Sequence, residues 1–375
     1  MNKISFSPPI ISILPSLALV PVLFGIFKGF HSGGLNLIGD FIISAFQPSL
    51  EIIVLKSALH SLQITIAIAV IGWVLSTFIG IILGCMSSLI IWRNSIGLIW
   101  LPIVIRRILS IPRGIHELIW GLLLLQLFGL NIWVAILALT IPYSCILSRI
   151  LSDQIDTLDE KKIIALKCSG AKNMSGIITA LIPQMIPLIT TNIGYRFECS
   201  LRGATLLGVF GLGGVGTELK LTLQSLSFNE MWTSLWLLAL VMVTVEKIMN
   251  LWRRKICISS NSIKDLIKAL IILITIALIS LFWLQRLGFL ILEPVVFNPI
   301  NIPEIYKIRL ALSNLPWFEL IKDTLILTVL AAGIAIGTLP LALIIWPNKQ
   351  GQYIQSVIWT IFRLFPPPLI ALLLL

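Results

Sequence analysis

Charge is what this sequence lacks most. Of its 375 residues only 11% are Asp, Glu, Lys or Arg, against 58% hydrophobic. A soluble domain carries roughly 25% charged residues, and no globular core of ordinary size absorbs this much apolar side chain. Histidine is almost as scarce: His31, His60 and His116 lie far apart without ligand-like neighbours, so no imidazole metal centre is expected. The five cysteines, Cys85, Cys145, Cys168, Cys199 and Cys257, form no C-x-x-C and mostly lie in apolar runs. They read as small packing residues. No G-x-x-x-x-G-K-[ST] occurs, so the chain has no Walker A phosphate loop of its own. No cofactor is expected.

What is present is apolar sequence in long runs. A helix needs roughly 20 apolar residues to cross a bilayer. Such runs lie near 10–28, 61–91, 112–130, 131–150, 186–207, 231–251, 266–286, 320–346 and 354–375. The reading is an all-α polytopic membrane protein. The leading MNKISFSPPIISILPSLALVPVLFGIF has one Lys and no A-x-A pattern, which suits a first spanning helix better than a cleaved signal peptide. The run at 61–91 exceeds one span, so its ends are expected to project or tilt.

The formal charge is +11. In a membrane protein that excess belongs to cytoplasmic loops, and no aromatic-interleaved basic groove suggests nucleic acid. Arg93, Arg106, Arg107 and Arg113 fall between the second and third runs. Lys161, Lys162, Lys167 and Lys172 fall between the fourth and fifth, and Arg253, Arg254, Lys255, Lys264 and Lys268 follow the sixth. These three loops are expected on the cytoplasmic side, with the N-terminus.

The chain also repeats itself. HSLQITIAIAVIG at 60–72 is similar to KDTLILTVLAAGIA at 322–335, WRN at 92–94 to WPN at 346–348, and RILSIP at 107–112 to RLFPPP at 363–368. The order is kept, which suggests a second copy. It lacks everything matching 131–250.

Three segments carry the chemistry. In the first, KKIIALKCSGAKN reads as a short amphipathic helix ending at Gly170, where glycine allows a left-handed helix end. SGIITALIPQMIP then returns to the membrane, with Pro183 and Pro187 setting a bend. The second is GVFGLGGVG, whose Gly211, Gly213 and Gly216 match the G-x-G-x-x-G spacing of a dinucleotide loop. Here it follows a membrane span rather than a β-strand, so its glycines, Gly214 included, are expected to serve tight turns and close backbone packing at the outer face. The third is the charged part of the fifth run. Glu198 and Arg202 are four apart and can pair on one face, whereas Arg196 cannot reach Glu198 on the same helix and shares its face with Asn192. A guanidinium fork suits phosphorus-bound oxygens; the bland alternative is an Arg196 satisfied by another helix.

The run A-L-x-x-x-G-A followed by L-x-P-Q-x-x-P, with Ala165, Leu166, Gly170, Ala171, Leu181, Pro183 and Gln184, resembles the EAA loop of binding-protein-dependent ABC transporter permeases. YRFECSLRGATLLGVFGLGGVGTEL, 195–219, resembles their phosphonate/phosphite branch, which carries Y-R-F-E-x-x-x-R-A/G-x-T-x-L-G and then G-x-G-G-I/V-G. SIPRGIH departs from the usual S-I-P-E. The resemblance covers about 50–256, and about 320–375 as a partial second copy.

That resemblance implies a type I ABC importer permease fold in the bacterial plasma (inner) membrane, crossing it several times. It implies a first permease domain, 1–256, with a coupling loop at about 159–185, and an incomplete second copy, 257–375. The chain would be a transport subunit and not an enzyme. Its partners would be an ABC ATPase subunit, a periplasmic or lipoprotein substrate-binding protein, and a second permease domain as homodimer or tandem copy. Coupling contacts would come from Glu160, Ala165, Leu166, Gly170 and Ala171. The position usually held by Glu is Ile164 here, and Glu160, one turn earlier, is the stand-in. The pathway would use Asn192, Arg196, Glu198, Arg202, Gly211, Gly213, Gly214 and Gly216. The substrate would be a small phosphorus oxyanion, with methionine or a quaternary amine as alternatives. An ion-coupled secondary transporter is a rival class, but the first six spans offer it little beyond Glu198.

Overall fold

Residues 32–259, 263–288 and 313–345, with isolated positions outside them, are described by a computed structural model. The spans expected near 10–28 and 354–375, and the repeated motif at 363–368, lie outside the described residues apart from such isolated positions. No strand occurs among the described residues. The helices are α1 (Ser32–Ser44), α2 (Ile52–Met86), α3 (Leu89–Ser95), α4 (Trp100–Gly114), α5 (Glu117–Phe128) and α6 (Ile132–Asp156). They continue as α7 (Lys161–Cys168), α8 (Asn173–Leu207), a π-turn (Gly208–Leu212), α9 (Val215–Gln224), α10 (Phe228–Ser259), α11 (Ile263–Arg286) and α12 (Trp317–Ile345). Four of these are long and apolar enough to cross a membrane, or six if each of two bent pairs is one span.

The boundaries follow local chemistry. His116 caps α5 by accepting from the Leu118 N–H at 3.3 Å, and Asn131 caps α6 by accepting from Trp133 at 3.0 Å. Helix α2 is apolar all round, as a helix in lipid or in a core must be. Its 35 residues span about 52 Å, well beyond the roughly 30 Å hydrocarbon thickness.

Three expectations change. The arginines expected in a loop before the third run are helical: Arg93 is in α3, and Arg106, Arg107 and Arg113 are in α4. The run expected as one span, 112–130, is the second half of a broken pair, because α4 meets α5 at 84°. The break falls at Ile115 and His116, whose backbones are extended. Third, the apolar part of α11, Ile271–Arg286, is shorter than a full span, since Lys264, Asp265 and Lys268 occupy its first turns. As expected, α8 bends at its prolines: Ser175–Pro187 and Ile189–Leu212 meet at 43°, because proline removes an intrahelical hydrogen bond and crowds the preceding turn.

Among the described residues, 44–288 form one compact unit, and 32–43 with 313–345 belong to another. The core of the larger unit is α2 against α6. A Cβ on Gly72 would stand 3.2 Å from the Leu139 Cβ, one on Gly80 3.0 Å from that of Leu147, and one on Gly84 3.0 Å from that of Leu151. The partners rise in step, so the two helices run parallel, and small residues let them approach closely. Helix α8 closes this core: the Trp73 indole donates to the Ile193 carbonyl at 2.9 Å and its ring lies 4.6 Å from that of Phe197. Helix α12 belongs to the smaller unit. Its spanning stretch, Trp317–Thr338, is only 6% buried.

Candidate functional site

The short helix α7 begins where Asp159 accepts from the Lys161 N–H at 3.0 Å. Ile163 is its fully buried anchor. Lys161, Lys162, Ile164, Ala165 and Cys168 face outward. Its end is a Schellman turn: Ala171 N–H donates to the Leu166 carbonyl and Gly170 N–H to the Lys167 carbonyl, both at 3.0 Å. That pattern puts Gly170 at φ +89°, a conformation costly for any residue with a Cβ.

Helix α3 holds α7 at both ends. Arg93 pairs with the Glu160 carboxylate at 3.2 Å, and Asn94 Nδ2 reaches the same group at 3.5 Å. The Glu160 carboxylate thus faces α3. At the other end, Lys167 Nζ donates to the Asn94 backbone carbonyl at 2.9 Å and to its Oδ1 at 3.0 Å. Asn173 donates to the Ser95 carbonyl at 3.3 Å. Behind α3, the Asp156 carboxylate accepts from the Ser88 hydroxyl at 2.7 Å and from the Leu89 and Ile90 N–H groups at 3.2 Å each. Arg106 pairs with Asp156 and donates to the Ser87 carbonyl at 2.7 Å.

A second constellation lies midway along α6 and α8. Arg196 stands 5.7 Å from the Tyr143 ring and 5.9 Å from that of Tyr195, close enough for cation–π attraction. Its Nε is buried without a hydrogen-bond partner among the described residues, as is that of Arg202. The Tyr143 hydroxyl is 3.2 Å from both the Glu117 carboxylate and the Cys199 carbonyl. Glu117 starts α5, so Tyr143 ties the first turn of α5 to the ring that Arg196 faces. Gly203 lets these groups converge, since a Cβ there would lie 2.9 Å from the Tyr143 hydroxyl. Glu198 is buried on the same helix. Asn192 donates to Gln154 at 2.9 Å.

The glycine stretch packs against α2. Gly211, Gly213 and Gly214 have φ of +89°, +92° and +83°. A Cβ on Gly214 would overlap the Thr65 hydroxyl, and one on Gly216 the Thr205 carbonyl. Thr65 Oγ1 accepts from the Val215 N–H at 2.8 Å. Protein atoms therefore fill the space beside Gly214 and Gly216.

Sequence reasoning placed α7 and the turn at Gly170, and singled out Arg196 and the glycines as candidates. It missed Asn94, Asp156, Tyr143 and Glu117. Glu117 carried a signal, a lone acid at the edge of an apolar run, whereas Asp156 is one of four acids between 153 and 160. Asn94 carried only its place in the repeated W-x-N of 92–94 and 346–348, and Tyr143 carried none.

The family of binding-protein-dependent transport system inner membrane components matches residues 76–256. HtxC of Stutzerimonas stutzeri, assigned as a phosphite transport system permease, is 31% identical over 57% of this chain and 73% of its own. PhnE2 of Escherichia coli K12, assigned as a cryptic phosphonate transport system permease, is 31% identical over 29% of this chain and 88% of its own. Among solved structures, an amino acid ABC transporter with histidines aligns over 53% of this chain and 94% of its own, at 20% identity and a TM-score of 0.45. The chain belongs to the binding-protein-dependent ABC transporter permeases, in their phosphonate/phosphite branch. It is a multi-pass inner-membrane transport subunit.

Proposed function

We propose that the chain is the membrane-spanning part of an ATP-driven importer for a small phosphorus oxyanion: phosphonate, phosphite or phosphate. Hydrolysis takes place on a separate ATPase subunit, an external binding protein delivers the anion, and a second permease domain completes the path. Residues 1–256 are the first such domain and 257–375 begin another. The observation that carries this reading is α7: a short helix with one buried anchor, an outward face of Lys161, Lys162, Ile164, Ala165 and Cys168, and a turn that requires glycine at 170. It is built as a docking element. The names of the relatives supply the substrate class.

Arg196 supports an anion path. A guanidinium within a membrane is costly unless it has partners or a task. Here two tyrosine rings flank it while its Nε goes unmatched. Asn192, Glu198 and Arg202 share its helix, and the glycines from Gly211 to Gly216 lie beyond its end.

The test is phosphite uptake into proteoliposomes holding the chain with its ATPase and binding protein. Gly170→Val should lower uptake by about tenfold or more while the protein accumulates normally, since a β-branched residue resists positive φ. Unimpaired uptake would defeat the docking reading. Arg196→Gln should slow uptake with little loss of detergent-stable protein. A loss of stable protein with unchanged uptake per molecule would make Arg196 structural.

A further inference from the structure

We infer that α3 is the lever through which α7 moves the membrane helices, with Asn94 as its positioning residue. This rests on the reading of α7 as the ATPase-docking helix.

Beyond its packing on α8, the polar side-chain ties of α7 run to α3. Ile163 is the buried side chain that α7 contributes. Glu160, at its start, reaches Arg93 and Asn94, while Lys167, in its last turn, reaches Asn94 twice. Eight residues of helix are about 12 Å long. Contacts at both ends therefore resist rotation as well as sliding. Asn173, just past the turn, adds a third tie at Ser95.

The far side of α3 is fixed to the bundle. Its first turn has N–H groups with no partner inside the helix. Asp156, the last residue of α6, accepts two of them, and a carboxylate suits the positive end of a helix dipole. Arg106 of α4 completes the joint by pairing with Asp156 and donating to Ser87, at the end of α2. Beside its direct join to α8, a load on α7 thus has a route through one seven-residue helix to the ends of α2, α4 and α6.

The contacts are not equal. Arg93 and Glu160 have side chains 54% and 29% exposed, and an exposed pair contributes little after screening and side-chain entropy. Asn94 is 8% exposed. It donates to the Ile90 carbonyl at 3.1 Å, which holds its amide in place to receive Lys167. Charge-assisted bonds in a partly buried setting are the stronger ones. Asn94, not Arg93, carries the grip.

Asn94→Leu keeps the branching and the number of side-chain heavy atoms and removes the side-chain amide. In proteoliposomes with the ATPase and binding protein, the phosphate released from ATP per substrate imported should rise about tenfold, the scale of a typical coupling energy. Thermal stability in detergent should hold. Arg93→Gln should change the ratio by less than about twofold. Cys168 is an exposed free thiol on α7. A photoreactive maleimide placed there should capture the ATPase in the unsubstituted chain and in Asn94→Leu alike, the captured peptide being identified by mass spectrometry. Capture with an unchanged ratio in Asn94→Leu would overturn the lever. No capture in the unsubstituted chain would overturn the docking reading, and the lever with it. Should Asn94→Leu not accumulate, Lys167→Met sheds both bonds to Asn94 and carries the same expectation and the same overturning result.

Discussion

Helices α2 and α12 start from one sequence pattern and end in different surroundings. HSLQITIAIAVIG and KDTLILTVLAAGIA are both apolar around the whole helix. Yet the spanning stretch of α2 is 61% buried and that of α12 is 6% buried. Apolarity does not explain the difference, since lipid tails are as apolar as leucine and nothing squeezes two such helices together. What α2 has is a partner cut to its shape: Leu139, Leu147 and Leu151 of α6 seat against Gly72, Gly80 and Gly84. Helix α12 turns Leu325 and Val329 outward, 60% and 67% exposed. Packing, with many small dispersion contacts, separates the two helices.

The comparison can be pressed by substitution, read as the thermal stability of the detergent-purified chain. Gly80→Val should have the largest effect. Its Cβ would stand 3.1 Å from the Ser144 carbonyl and closer still to Leu147, and the branched side chain needs more room than that. Overpacking costs about 1–3 kcal/mol or more, and in a parallel pair this tight we expect the upper end, with little folded protein recovered. Unchanged recovery would mean that α2 and α6 are not in this register. Ile68→Ala comes next. Ile68 is 1% exposed, and such truncations cost about 2–5 kcal/mol where the site cannot collapse; the flexible apolar neighbours of a membrane core place it at the low end of that range. Val329→Ala in α12 should be smallest, under about 0.5 kcal/mol, as for exposed positions generally. If Val329→Ala cost as much as Ile68→Ala, α12 would be covered in the purified assembly, and the contrast would reflect a missing neighbour rather than a different helix.

Much of the fold was legible because membrane helices announce themselves by length and apolarity. The cores of the runs at 61–91, 131–150, 186–207, 231–251 and 320–346 all fall within α2, α6, α8, α10 and α12. The α7 turn was legible because a glycine in a polar stretch has few other reasons to be there, and Gly170 has the φ that the turn needs. The break between α4 and α5 was not. Arg106, Arg107 and Pro112 look like loop residues, but α4 accommodates all three. Its Arg106 points to partners that lie far along the chain, Asp153 and Asp156.

The sequence by itself determined that this chain lies in a membrane, which end of its helices is basic, where α7 stops and which family it belongs to. Those properties are written in composition, in short-range spacing and in motifs, and each needs only neighbouring residues. The tertiary structure alone decided which face of α2 and of α5 is inside, because a helix apolar all round carries no amphipathic record of it. It alone placed Asn94 against Lys167, Tyr143 against Glu117 and Arg196, and Asp156 at the start of α3. Those pairs are separated by tens of residues, and side chains so far apart meet only when the helices that carry them have packed.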